Sequence, residues 1–319
     1  MKCLVTAIGS IAAEAVIGRL TLLPGVEVVG CNMHPASWTP ASRLVHRFHQ
    51  VPSAKESVAY VAQLLRICQK DGITHLIVLT DPEVDLLSTH HEAFAAVGTQ
   101  LCIPPQAAVQ LARDKLEIYR RFVDHPRIQP IGTAALGDTE QILFSYPLIA
   151  KPRWGRSSEK QVLISDKNAL QFWSERLAQQ DYLVQPFHTG DVLVVDLVRR
   201  PGGSSVAIAR QELLRTANGA GMTVRMLSGH GCCALATEVA DMLDLQGCVN
   251  LEFFVVDGVP LLMDINPRFS AGVAFSLLAG YDMVANHLRC FTGGNLDPYL
   301  PLVTDVIYAR GFVEHSLQD

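Results

Sequence analysis

The sequence predicts an α/β N-terminal domain on a parallel sheet, followed by a mixed α+β region in two parts. Three observations carry this reading. Up to about residue 103, strand-like and helix-like stretches alternate, which implies parallel strands joined by right-handed crossovers. Pro104-Pro105 then punctuates the chain. The later part contains VNLEFFVVDGVPLLMDINPR, two strands joined by Asp257-Gly258, a strong hairpin signal.

The 319 residues are 49% hydrophobic and 18% charged, which suits two or three globular domains. A net charge of −5 argues against a broad nucleic-acid-binding face. No apolar run reaches the roughly 18 residues of a membrane span. Glu14 interrupts the apolar N-terminus, which reads as a first strand and helix and not as a signal peptide. The eight cysteines form no C-x-x-C pair, and reduced, buried thiols are expected.

In order, Cys3 to Ile8 reads as a strand, Ala12 to Leu23 as a helix and Val26 to Cys31 as a second strand. Ser57 to Lys70 is the next helix, and Thr74 to Leu79 a third strand. Gly9-Ser10 follows the first strand without a G-x-G-x-x-G pattern, so a dinucleotide site and a dehydrogenase are weakly supported. Asp81, Glu83 and Asp85 follow the third strand, where acids usually favour a helix N-terminus. QAAVQLARDKLEIYRRFVDH is one amphipathic helical pattern, interrupted by Arg113, Asp114 and Lys115.

Tyr146 to Pro152 is a short apolar strand containing Lys151. An unpaired ammonium is costly to bury, and a phosphate would supply its counter-charge. Gln161 to Ile164 and the helix Asn168 to Gln179 complete a small α+β unit. Tyr182 to Phe187 is the next strand. In VLVVDLVRR, Asp196 faces either a ligand or solvent at a sheet edge. Val206 to Leu214 carries Arg210; Arg215 follows, before TANGAGMT, whose Gly219 and Gly221 permit a loop with positive φ. His230 reads as a loop histidine, and Ala234 to Leu245 as a helix. FSAGVAFSLLAGYDMVANHLRCF begins as a small-residue loop and continues as a helix. Ser270, Gly272 and nearby amides are candidates for receiving an acceptor carboxylate. Val303 to Gly311 is the last strand.

The chemistry concentrates in the hairpin. Alternate residues of a strand face one way, so Asp264, Asn266 and Arg268 share a side. Counting from a two-residue loop, Glu252 falls opposite Met263, beside Asp264. Two carboxylates on paired apolar strands call for a cation. Mg²⁺, which takes few hard oxygen ligands from protein, fits them.

Glu252 followed by Asp264, Asn266, Pro267 and Arg268 resembles the metal-binding end of the ATP-grasp ligases, and most closely those of carbamoyl-phosphate-synthase type. The family usually carries Glu where this chain has Asp264. The resemblance implies three domains: 1–103, an α/β pre-ATP-grasp domain; 104–184, a small α+β lid; and 185–319, the C-terminal ATP-grasp domain with the metal site. It implies ATP with Mg²⁺, or Mn²⁺ in its place, and metal ligands Glu252, Asp264 and Asn266. Lys115 and Lys151 match the lysines that reach nucleotide phosphate. Arg153 and Gly155 begin the phosphate flap, with Ser157 and Ser158 as further candidates. Gln185, Pro186 and Phe187 match the adenine hinge, where Pro186 replaces the usual acid; Asp191 is the ribose candidate. Arg215 and Arg268 are expected to act in catalysis beside Lys151.

The implied reaction is carboxylate–amine ligation through an acylphosphate, in a cytoplasmic enzyme that is a possible homodimer. Its partners are a small-molecule carboxylate and an amine, with no nucleic acid and no membrane. The rival reading is a nucleotide-binding regulatory module without turnover.

Overall fold

The computed structural model describes residues 1–138, 142–155, 159–300 and 305–317. The N-terminal strands are β1 (Lys2–Val5), β2 (Glu27–Asn32), β3 (Arg47–Gln50), β4 (His75–Ile77) and β5 (Gln100–Leu101). They form one parallel sheet in the order β3-β2-β1-β4-β5. Helices α1 (Ala13–Leu20), α2 (Ser57–Asp71), α3 (Asp81–Leu87) and α4 (His91–Ala96) connect them. The parallel arrangement read from the sequence is present, with β3 and β5 as additional edge strands. Both faces of β1 are buried, as crossover helices require. Cys3 and Val5 belong to one core, while Leu4 joins Val29, Leu64 and Phe94 in another.

The single helix expected after Pro105 is two: α5 (Gln106–Arg113) and α6 (Lys115–Phe122). Asp114 has extended backbone angles and caps α6, its carboxylate accepting from Leu116 and Glu117 N–H at 3.1 and 3.2 Å. The cap competes with helix continuation and wins.

Next come β6 (Gln129–Pro130), β7 (Ala134–Ala135), β8 (Leu148–Pro152), β9 (Val162–Ile164), α7 (Lys167–Arg176) and β10 (Tyr182–Pro186). Strands β7, β10, β8 and β9 make an antiparallel four-stranded sheet with its own core around Leu148, Ala150, Leu170 and Val184.

The remaining elements are β11 (Val192–Arg199), β12 (Ser205–Arg215), β13 (Gly221–Leu227), α8 (Cys232–Met242), β14 (Gly247–Val256), β15 (Val259–Asn266), α9 (Val273–Leu278), α10 (Met283–Thr292) and β16 (Ile307–Ala309). Their sheet runs β16-β13-β12-β11-β14-β15-β6. Strand β13 was not anticipated, since its glycine-rich approach reads as loop. The helix expected after Arg268 is divided into α9 and α10.

One face of this sheet packs α5, α6 and α8 around Val195, Leu251 and Phe253. On the other side, Phe269, Val284 and Leu288 share a core with Val5 of the N-terminal sheet and Ile17 of α1. Arg19, in the last turn of α1, pairs with Asp282, the cap of α10. The two large sheets are thus joined by a common core, while the four-stranded unit has a separate one. All eight cysteines are free.

His287 sits in the shared core between Phe269 and Phe291, its Nδ1 accepting from Cys248 N–H at 2.9 Å. Burial pushes its imidazole down from 6.5 to about 3. The unfolded chain takes up that proton below about pH 6.5, while the fold resists it until about pH 3. This contribution to stability is therefore full above the upper value and falls as the pH drops through the window. His287→Gln, which keeps an acceptor but cannot titrate, should give a melting temperature that declines less steeply between about pH 7 and about pH 5. Parallel pH profiles for variant and wild type would show His287 not to be the group responsible.

Candidate functional site

The β14–β15 hairpin turns at Asp257 and Gly258, whose φ angles of 50° and 79° suit a tight two-residue loop. Below the turn the register follows the count from the loop as far as Phe253, opposite Leu262. A bulge at Met263 then shifts it, and Glu252 faces Asp264 directly. The expected Glu252–Met263 pairing is corrected by that one extra residue, which re-aims side chains as bulges do. Asn250 pairs with Asn266 one step further, so a row of oxygen-bearing groups shares one face.

Glu252, Asp264 and Asn266 each meet a cation from elsewhere in the chain. Glu252 Oε2 accepts from Arg215 Nη2 at 2.8 Å, and Asp264 Oδ1 lies 3.2 Å from Lys115 Nζ. Asn266 Oδ1 accepts from Arg113 Nη1 at 3.3 Å, while its Nδ2 donates to Asn250 Oδ1 at 3.2 Å. Burial raises the Glu252 carboxyl, and Arg215 opposes that rise.

Lys115 opens α6 and also donates to the Gly155 carbonyl at 2.9 Å. Lys151 faces the hairpin from β8. Its side chain is buried, with no hydrogen-bond acceptor among the described residues. Burial and then the neighbouring Lys115 push its ammonium down from 10.5 to about 8, against the pull of Asp264 and Glu252. Arg153 does not line the cavity; it clamps Asp114 with Nε at 2.8 Å and Nη2 at 2.5 Å. Ser157 and Ser158 lie outside the described residues.

The row, the lysines and the wall of β10 enclose a cavity of about 860 Å³. Gln185, Pro186 and Phe187 line it, with Gln185 Nε2 fixed on Thr133 Oγ1 at 2.8 Å. Asp191 is exposed and outside the lining. Asp196 takes neither expected place: β11 is a central strand, and the carboxylate is buried against Arg210 Nη1 at 2.8 Å and Ser276 Oγ at 2.7 Å. Arg210 reaches the lining beside Ser270 and Gly272. A Cβ on Gly272 would stand 2.5 Å from Arg210 Nη2, so that approach needs glycine. His230 takes the bland loop role, its Nδ1 accepting from Cys232 N–H at 3.2 Å.

The opposite wall comes from the N-terminal domain. Its acids are not simple helix caps. Asp81 forms a bidentate pair with Arg268, and Asp85 accepts from Arg113 Nε at 3.1 Å. Glu83 is buried beneath the wall, accepting from Tyr60 Oη at 2.6 Å, Thr80 Oγ1 at 2.7 Å and Thr6 Oγ1 at 2.9 Å. Apart from Thr80, the partners come from distant parts of the chain, so local sequence does not show these pairings.

The donor set fits an anion and a hard divalent cation together. An ammonium without an acceptor faces two opposed carboxylates and an amide oxygen. Among the described residues no three His, Cys, Asp or Glu side chains gather into a metal cage. Mg²⁺ would thus need oxygen from a bound phosphate to complete its shell.

Residues 178–309 match the family model described as ATP-grasp in the biosynthetic pathway with Ter operon, and residues 4–102 match the PylC-like N-terminal domain. Over 329 aligned residues the chain is 20% identical to the carbamoyl phosphate synthase arginine-specific large chain of Bacillus subtilis (strain 168), covering 96% of this chain and 31% of that protein. It spans about a third of that curated relative's length. The biotin carboxylase domain dimer of Hydrogenobacter thermophilus 2-oxoglutarate carboxylase, solved with MgADP, ADP and bicarbonate, superposes with a TM-score of 0.75 at 13% identity, over 93% of this chain and 70% of that one. Staphylococcus aureus N5-carboxyaminoimidazole synthetase with ADP gives 0.72 at 15%, over 97% and 79%. The L-amino acid ligase of Bacillus licheniformis gives 0.68 at 15%, over 91% and 73%. Identities this low establish the shared fold.

The cap that positions Lys115 can be tested by itself. Asp114→Ala removes both the cap and the Arg153 clamp, and should lower unfolding free energy by about 1–2 kcal/mol. Asp114→Asn keeps the cap and should recover most of the loss in urea titrations. Equal loss in both variants would assign the effect to the ion pair.

Proposed function

We propose that this chain, an ATP-grasp domain behind a PylC-like N-terminal domain, is an ATP- and Mg²⁺-dependent carboxylate–amine ligase. A carboxylate oxygen of the substrate attacks the γ-phosphorus of ATP, and the bond to ADP breaks. The resulting acylphosphate is attacked at its acyl carbon by an amine or ammonia; phosphate leaves and an amide-type bond remains. The observation that carries this reading is Lys151, buried without an acceptor among the described residues, facing Glu252 and Asp264 in one cavity.

Lys115 and Lys151 hold nucleotide phosphates, and Gln185, Pro186 and Phe187 form the wall for adenine. Arg153 acts through Asp114. Arg215 leaves Glu252 to reach phosphate or the acyl group, and Arg268 neutralises charge on the transferring phosphoryl group. Glu252, Asp264 and Asn266 would hold Mg²⁺, which when bound neutralises phosphate charge and aligns the oxygens for in-line transfer. Everything else is alignment and charge neutralisation by fixed groups. The proposed domains are 1–103, 104–184 and 185–319. A cytoplasmic homodimer is the proposed setting; among the described residues no helix is long and apolar enough to cross a membrane. An ADP-release screen over carboxylate and amine pairs, with products weighed by mass spectrometry, would identify the substrates.

Two outcomes are expected. Burial and the neighbouring Lys115 push the Lys151 ammonium down to about 8, and only the ammonium pairs with phosphate. Calorimetric affinity for a non-hydrolysable ATP analogue should therefore fall as pH rises through that value, and Lys151→Met should weaken binding and abolish the step. A pH-independent wild-type affinity would remove Lys151 from the phosphate site.

The second outcome concerns chemistry. Arg268→Ala should leave nucleotide affinity within a few fold while carboxylate-dependent ADP release drops by roughly a hundredfold, the scale of losing one transition-state donor. Asp264→Asn should abolish turnover, and Asp264→Glu should retain part of it. Nucleotide binding without turnover on any carboxylate would favour the regulatory module.

A further inference from the structure

We propose that Asp81 is a positioning residue for the ligation, clamping the Arg268 guanidinium from the N-terminal domain so that its remaining N–H groups present a fixed edge to the reacting oxyanion. This rests on the ligase reading and names a residue that the matched motif does not include.

The geometry is specific. Arg268 Nε donates to Asp81 Oδ1 and Nη2 to Oδ2, each at 2.7 Å, a two-pronged contact between residues 187 apart in sequence. Arg268 Nη1 donates to the Phe269 carbonyl at 2.9 Å. A guanidinium has five N–H groups in a rigid fork. Three are engaged by these contacts, leaving one on each terminal nitrogen among the described residues. A parallel pair of N–H groups, one from each terminal nitrogen, is the arrangement that binds a carboxylate or phosphate through two oxygens.

Asp81 is itself held. It begins α3, directly after Thr80, and Arg113 Nη1 stands 3.8 Å from its Oδ1. Arg113 also donates to Asp85 and to Asn266 Oδ1. Asp85, Arg113, Asp81 and Arg268 therefore form a continuous chain of alternating charge. It ties α3 and α5 to the end of β15, where the candidate metal ligands stand.

Stability alone does not account for the pair. The two domains already share an apolar core, and buried ion pairs are often no better for stability than well-packed apolar groups. Fixing a reactive group to sub-ångström accuracy is another matter, since small displacements far from the chemistry can cost about a hundredfold in rate. Thr80, Asp81 and Pro82 all line the cavity. The segment that walls one side of the substrate space therefore also carries the clamp.

The test compares Asp81→Asn, Asp81→Glu, Arg268→Ala and the double variant Asp81→Asn/Arg268→Ala. ADP release is measured with the standard amino acids pooled as carboxylate and amine donors. Asp81→Asn should lower kcat by about tenfold to a hundredfold, with the KM for ATP within about twofold. Asp81→Glu should recover part of it. In the Arg268→Ala background, Asp81→Asn should cost nothing more, because it acts through that arginine; a full additional loss there would assign Asp81 a separate, structural role and overturn the proposal.

A readout independent of turnover is the Arg268 Nε–H resonance in ¹⁵N-labelled protein. Slow solvent exchange in the wild type, lost in Asp81→Asn, supports the clamp. Fast exchange in the wild type overturns it. Absence of acid-dependent ADP release in the wild type would instead count against the ligase reading, and the resonance would still decide the clamp.

Discussion

Two carboxylates facing each other across a strand pair set the terms for the centre of this molecule. Glu252 and Asp264 would repel and remain poorly solvated without nearby positive charge. The fold answers from three directions. Arg215 reaches Glu252 from the end of β12, Lys115 reaches Asp264 from α6, and Arg113 holds Asn266 from α5. The broken helix at Asp114, the loop at Gly219 and the placement of β8 against the hairpin make sense as the means of delivering those cations.

The same constraint explains how the chain is divided. The N-terminal sheet and the seven-stranded sheet share a core through Val5, Ile17, Phe269 and Val284. The walls bearing Asp81 and Arg268 are thereby held in register. The four-stranded unit has a core of its own, and supplies Lys151 and Gln185. Charges that face each other across the shared core are fixed by packing. Lys151, on the unit packed separately, has no hydrogen-bond acceptor among the described residues.

Much of this was legible in the residues. The β-α-β alternation gave the parallel sheet, and the Asp257-Gly258 turn gave the hairpin. An ammonium inside an apolar strand marked Lys151. Among the described residues, Lys115, Lys151, Gln185, Glu252, Asp264, Asn266 and Arg268 line one cavity, while Arg153 and Asp191 do not. Other features were hidden for physical reasons. Alternation assumes an unbroken ladder, so the bulge at Met263 could not be read from it. A helical pattern continued through Asp114, whose side chain also takes up Arg153, distant in sequence. Asp196 was ambiguous because only the sheet order makes β11 central. The Asp81–Arg268 contact is a property of tertiary structure with no local signature.

The cavity lining carries as many acidic side chains as basic ones. By formal charge the pocket is therefore close to neutral, and differs from a simple basic anion trap. A free nucleotide polyanion would gain attraction from the lysines but meet the carboxylates as well, inside a poorly screened space. A nucleotide already carrying a divalent ion brings its own answer to those carboxylates. Under the proposed ligase reading, the pocket would therefore favour the metal complex over the bare nucleotide and over smaller anions that lack a cation.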